Sequence, residues 1–153
     1  MKLEEVLKMT KFESPQHKAV LNVMYTAYWY KAKTNGILKE FGLTTEQFNV
    51  LRILKGKHPA AMCVKDIASR MIEESSNVPR IVDRLILKEL AKRTQSPDDR
   101  RETLVSLTEK GVSDLLTVNK ALKKHTETML RITDEEADQL NEALENLRRM
   151  DED

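Results

Sequence analysis

The sequence predicts a mainly α-helical chain that carries one small β-hairpin. Three observations lead there. Only four of the 153 residues are Gly and four are Pro, too few breakers for a turn-rich β-sandwich. Apolar residues recur three and four positions apart over several stretches, the period of a helix buried on one side. Between residues 90 and 107 that period lapses. There Ser96-Pro97-Asp98-Asp99 sets Pro at the second and Ser at the first position of a type I turn, flanked by two runs that read as strands.

Each element has its own local signal. Residues 14–41 read as one long helix, with Pro15 in the first turn and Gly42 just past the end. Thr44 and Gln47 then form a T-x-x-Q capping box, and Phe48, Leu51 and Leu54 follow at helical spacing with Val50 between them. After a connector from Gly56 to Ala61, Met62, Cys63 and Val64 suit a short strand. A short helix is expected over Asp66 to Met71, with Ile67, Ala68 and Met71 on one face. Ser75 and Ser76 are expected to cap the next helix. In it Val78, Ile81, Val82 and Leu85 fall at i, i+3, i+4 and i+7, and Pro79 sits in the first turn, where its missing N–H does little harm. The strands are expected at 90–94 and 102–107. Thr108 caps a helix running to about Leu130. Thr133 and Glu136 form a second capping box, and the last helix has Ala137, Leu140, Leu144 and Leu147 on a narrow seam suited to a partner helix.

Two helices about four residues apart, followed directly by a hairpin, describe a winged helix-turn-helix flanked by long N- and C-terminal helices. The expected layout is a single domain over 1–153. Its helices at 14–41 and 109–150 dimerise, and residues 62–108 form the winged helix-turn-helix lobe.

Composition narrows the function classes. Hydrophobic residues make up 40% and charged residues 33% of the chain, with 5% aromatic, so a core of Leu, Ile, Val, Met and Ala carries a heavily charged surface. A single cysteine, Cys63, rules out an intramolecular disulfide and fits a reducing compartment. The segment MKLEEVLKMTKFESPQHK is polar where a signal peptide needs an apolar stretch. No window approaches the roughly 20 apolar residues of a membrane span. The expected location is the cytoplasm, with no membrane partner. The net charge of +1 hides an asymmetry: residues 134–153 carry nine acids against two arginines, a net of −7, which leaves +8 on residues 1–133. A basic body with an acidic terminal helix suits a polyanion on one face; an ordinary solvated surface would carry the same charges.

With no Gly-rich phosphate loop, no Ser/His/Asp ordering and no metal-ligand spacing, an enzyme is not expected, nor a cofactor or metal. His17, His58 and His125 are dispersed and read as structural. Cys63 reads as a small buried hydrophobe.

At about 100° per residue, Ser76, Arg80 and Asp83 point away from the apolar stripe of the helix that begins near residue 77, with Asn77 and Arg84 on its flanks. The bland reading is a solvated face with an Arg80–Asp83 charge pair. In the hairpin, Arg100 and Arg101 are adjacent and therefore point to opposite faces.

Three segments are similar to one known family. Asp99-x-Arg101-x-x-x-Val105-x-Leu107-Thr108-x-x-Gly111 resembles the wing signature of the multiple antibiotic resistance regulator (MarR) family. Residues Ser76 to Leu85 resemble its recognition helix, and Leu43-Thr44-x-x-Gln47-Phe48-x-Val50-Leu51 its second helix. The resemblance implies a homodimer whose two winged lobes read a pseudo-palindromic operator in double-stranded DNA. The implied DNA-binding residues are Ser75, Ser76, Asn77, Arg80, Arg84, Asp99, Arg100 and Arg101. Among them Arg80 suits a guanine and Asn77 an adenine, Arg101 enters the minor groove with Asp99 orienting it, and Arg84 either meets DNA or holds the wing through Asp99. Tyr25, Tyr28 and Trp29 are candidates for a pocket between dimer helices and lobe, where members of the family take small aromatic effectors; the plainer reading is core and dimer contact. The competing function is a winged-helix protein-interaction module without DNA binding. That reading needs an acidic or apolar outer face, against which Arg80, Arg84, Arg100 and Arg101 stand.

Two departures from the family pattern stand out. Pro79 replaces a small polar residue, removing a hydroxyl from the surface. Glu89 stands where the family has Gly between recognition helix and wing. In the left-handed conformation Glu costs about 1–2 kcal/mol, so a different helix end and a tilted wing are expected.

Overall fold

The computed structural model describes residues 1–73, 77–97 and 102–149. The chain divides into two units, Met1–Asn119 and Lys120–Asp153.

In the first unit, helix α1 (Leu3–Leu7) was not expected from the sequence. It buries Leu3, and Glu4 accepts a charged hydrogen bond from Lys18 at 2.5 Å. The long helix α2 (Pro15–Glu40) begins as expected: Ser14 Oγ accepts from the His17 N–H at 3.0 Å. It ends in a Schellman turn, where Gly42 takes φ +66° and the Leu43 N–H donates to Leu38 O at 2.9 Å, satisfying a carbonyl that the helix leaves open.

Helix α3 (Thr45–Lys57) is held at its start by the Thr44–Gln47 capping box, both arms at 3.2 Å. Strand β1 (Met62–Cys63) follows. Helix α4 (Val64–Ala68) corrects the sequence expectation. It starts two residues before Asp66 because Cys63 Sγ accepts from the Asp66 N–H at 3.4 Å, and it stops short of Met71. Cys63 is therefore a half-buried cap and not a fully buried hydrophobe. Helix α5 (Val78–Leu87) has Asn77 at its N-cap position; the capping role expected of Ser75 and Ser76 lies outside the described residues.

Strands β2 (Ala91–Gln95) and β3 (Thr103–Leu107) make the hairpin, each starting one residue later than expected. Both neighbours of β3 are antiparallel, in the order β1-β3-β2, with Met62 and Arg93 each opposite Val105. Helix α6 (Glu109–Met129) is the next element. The core of this unit gathers α3, α4, α5 and the sheet. Leu51, Leu54, Ile67, Val82, Leu85 and Val105 are fully enclosed there, each contributing about 1.5–3 kcal/mol.

Glu89 overturns the expected change in helix ending. It adopts φ +61°. The Leu90 N–H donates to Leu85 O at 2.9 Å and the Glu89 N–H to Ile86 O at 2.8 Å, so α5 closes with the same Schellman pair that Gly normally allows. The fold therefore imposes the strain on Glu. Gly would lift that strain but gain about 0.5–1 kcal/mol of unfolded-chain entropy, so Glu89→Gly is expected to stabilise by about 0.5–1 kcal/mol. A urea midpoint below that of the parent would show that the Glu89 side chain outweighs its backbone strain.

In the second unit, α7 (Asp134–Leu147) starts at the Thr133–Glu136 capping box, as expected. None of its residues is buried. Ala137 and Leu144 are half-buried, whereas Leu140 and Leu147 are 50% and 52% exposed. Among the described residues no helix is long and apolar enough to cross a membrane.

Candidate nucleic-acid interface

The outer face of α5 follows from what its inner face buries. Val78, Val82 and Leu85 are at most 1% exposed, so the helix cannot rotate about its axis without opening the core. That fixes Arg80, Asp83 and Arg84 on the exposed side. Asn77 and Arg80 belong to the N-terminal part of the helix, where the helix dipole favours an anion. Of the eight sequence candidates, these two and Arg84 are described; Ser75, Ser76, Asp99, Arg100 and Arg101 lie outside the described residues.

Asp83 does not take the partner that the helix spacing suggested. Its Oδ1 lies 2.5 Å from Arg93 Nη1, and Arg93 Nη2 donates to Pro79 O at 3.5 Å. The site thus gains Arg93, which the sequence reading missed. A signal was present: Ala91 is buried at the start of β2, and period-two alternation puts Arg93 on the same face.

Glu73, beyond α4, is anchored to the long helix. Lys31 Nζ on α2 donates to both carboxylate oxygens of Glu73, at 2.6 and 2.8 Å. The hydrogen bond to Glu73 raises the Lys31 ammonium above the usual lysine range. Thr45 on α3 also donates to Asn35 on α2.

Tyr25 and Trp29 line a groove of about 270 Å³ with Met1, Leu3, Val6, Asn22 and Thr26. Its walls come from α1 and α2, not from the boundary between dimer helices and lobe expected from the sequence. Tyr28 is not among its lining residues and is 71% exposed. Among the described residues no group of His, Cys, Asp or Glu is arranged to hold a metal ion.

The family model for the MarR family matches residues 43–103, from two residues before α3 to the first residue of β3. The solved structure of a MarR transcription factor from Planctomyces limnophilus is 31% identical, with a TM-score of 0.69, over 90% of this chain and 98% of that one. The chain belongs to the MarR family. The HTH-type transcriptional regulator MhqR of Bacillus subtilis (strain 168) is 36% identical over 80 residues, 51% of this chain and 52% of that protein. The chain thus spans about half the length of that curated relative. A mutant MarR from E. coli, solved in complex with operator DNA, has a TM-score of 0.74 at 20% identity over 97% of this chain and all of that one; at that identity it shows the shared fold. The MarR fold accounts for the mainly helical chain with a small three-stranded antiparallel sheet.

Proposed function

We propose that this MarR-family chain is a homodimeric repressor that binds a pseudo-palindromic operator in double-stranded DNA and is released by a small aromatic ligand. The observation that carries the reading is the outer face of α5, where Arg80, with Arg84 on its flank, is exposed away from the buried Val78, Val82 and Leu85. A helix held in this way presents its first turns to the major groove. Arg80 and Asn77 read base edges, Ser75 and Ser76 meet phosphate, and Arg100 and Arg101 act from the wing with Asp99. The mutant MarR of E. coli solved with operator DNA has the same fold, which supports a duplex as the partner.

Self-association is supported by exposed apolar side chains within each unit: Val23, Met24 and Tyr28 on α2, and Leu140 and Leu147 on α7. Sedimentation of the full chain as a monomer would remove the two-fold arrangement. The groove beside Trp29 is the candidate effector site. Trp29 fluorescence that stays flat across a panel of aromatic carboxylates and phenols would remove the effector.

The central test is binding to duplex DNA across a salt series. Each neutralised phosphate contributes a slope of about −0.9 to log K against log salt, so several contacts per protomer give a steep negative slope. A flat slope, or no binding, would favour the protein-interaction module.

A further inference from the structure

We propose that Arg93 is a positioning residue of this surface: it holds the root of the wing against the first turns of α5 and cancels the charge of Asp83. The proposal rests on the reading of α5 and the wing as the surface that meets DNA.

Asp83 lies about one turn beyond Arg80 on the exposed side of α5, and its side chain is 52% exposed. A free carboxylate there would repel the phosphates that Arg80 approaches. Arg93 reaches it from β2, an edge strand of the sheet. One guanidinium nitrogen lies 2.5 Å from Asp83 Oδ1 and the other donates to Pro79 O at 3.5 Å, so the planar fork engages positions one turn apart. The compact ammonium of Lys lacks that fixed fork. The register explains the reach: Ala91 and Arg93 share a face, with Ala91 buried and Arg93 at the rim. A partly exposed pair adds little to folding stability. Its effects belong in wing order and in the electrostatics of the DNA-facing side. Arg93 is also already committed to two protein acceptors and is not expected to contact phosphate.

The experiment compares the parent, Arg93→Ala, Asp83→Asn and the double variant. Each is titrated onto an operator duplex selected by the parent, across salt, and hydrogen exchange of the β2 and β3 amides is followed without DNA. Arg93→Ala is expected to weaken operator binding about tenfold, with the salt slope changed by well under one unit per protomer because no phosphate contact is lost. Adding Asp83→Asn is expected to recover affinity to within about threefold of the parent, because the bare carboxylate is gone. Exchange in β2 should stay about threefold faster or more in both Arg93→Ala proteins. The proposal is overturned if Arg93→Ala lowers the slope by about one unit per protomer and Asp83→Asn recovers nothing, the behaviour of a phosphate contact. It is equally overturned if exchange in the wing strands does not change. If the parent binds no duplex, the DNA reading fails on its own, and the exchange measurement still decides whether Arg93 holds the wing.

Discussion

Replacing Gly111 with Ala is expected to lower the stability of the chain by about 3 kcal/mol, the upper end of the usual overpacking range. An added Cβ at this position would lie 2.0 Å from Leu90 O and 2.9 Å from Leu90 C. Both are backbone atoms, so neither can rotate away. Leu90 is also held from several sides: its N–H closes the end of α5 on Leu85 O, and its carbonyl accepts from the Thr108 N–H at 3.2 Å. Thr108 in turn donates its hydroxyl to Glu89 O at 2.6 Å and caps α6 by accepting from the Gly111 N–H at 2.9 Å. The Leu107-Thr108-x-x-Gly111 motif is thus where the start of α6 meets the turn between α5 and β2. A methyl group there must push α6 outward or break the turn. For a chain of this length, 3 kcal/mol corresponds to a fall in Tm of about 6–12 °C. Thermal unfolding followed by circular dichroism measures it; a variant melting within about 2 °C of the parent would mean that α6 does not approach Leu90 this closely.

The second large effect contrasts two arginines of the proposed DNA-binding surface. Arg80→Ala is expected to cost about 1–3 kcal/mol on the operator and to relax the preference at one position in each half-site, since a base-edge contact discriminates between bases. Arg101 belongs to the segment joining β2 to β3. On the proposed function it would read minor-groove width and phosphate from there, which vary less with sequence. Arg101→Ala is therefore expected to weaken operator and random duplex by similar factors and to flatten the salt slope by about one unit per wing. Arg80 lies outside the buried stripe of α5, so its replacement should leave the chain folded. Selection of bound sequences from a randomised pool, repeated at two salt concentrations, separates the two effects. If Arg80→Ala keeps the full preference while Arg101→Ala abolishes it, the assignment of helix and wing is reversed.

Much of this arrangement was legible in the sequence wherever its cause is local. The Thr44–Gln47 and Thr133–Glu136 capping boxes, the Thr108 cap and the Gly42 helix end each need only residues within a turn of one another, and all form as the sequence predicts. The stripe of α5 was likewise set by spacing, and burying it oriented Arg80 before any contact was known. The conformation of Glu89 was not legible. Its side chain disfavours the left-handed region, yet the turn is pinned at Leu85, Ile86 and Thr108, and those bonds together outweigh one residue's preference. The partner of Asp83 was hidden for a related reason. Helix spacing offered Arg80, but the sheet register brings Arg93 to the same carboxylate from another element. The groove at Tyr25 and Trp29 also depends on a second segment, because its other wall is α1, five residues whose helical signal is too short to stand without Leu3 buried. Sequence alone determined the long helices, the hairpin strands to within a residue, two capping boxes and the buried face of α5, because those rest on interactions within a few residues. Tertiary structure alone decided which charged groups meet and where the backbone is strained, because those depend on segments brought together only when the core closes.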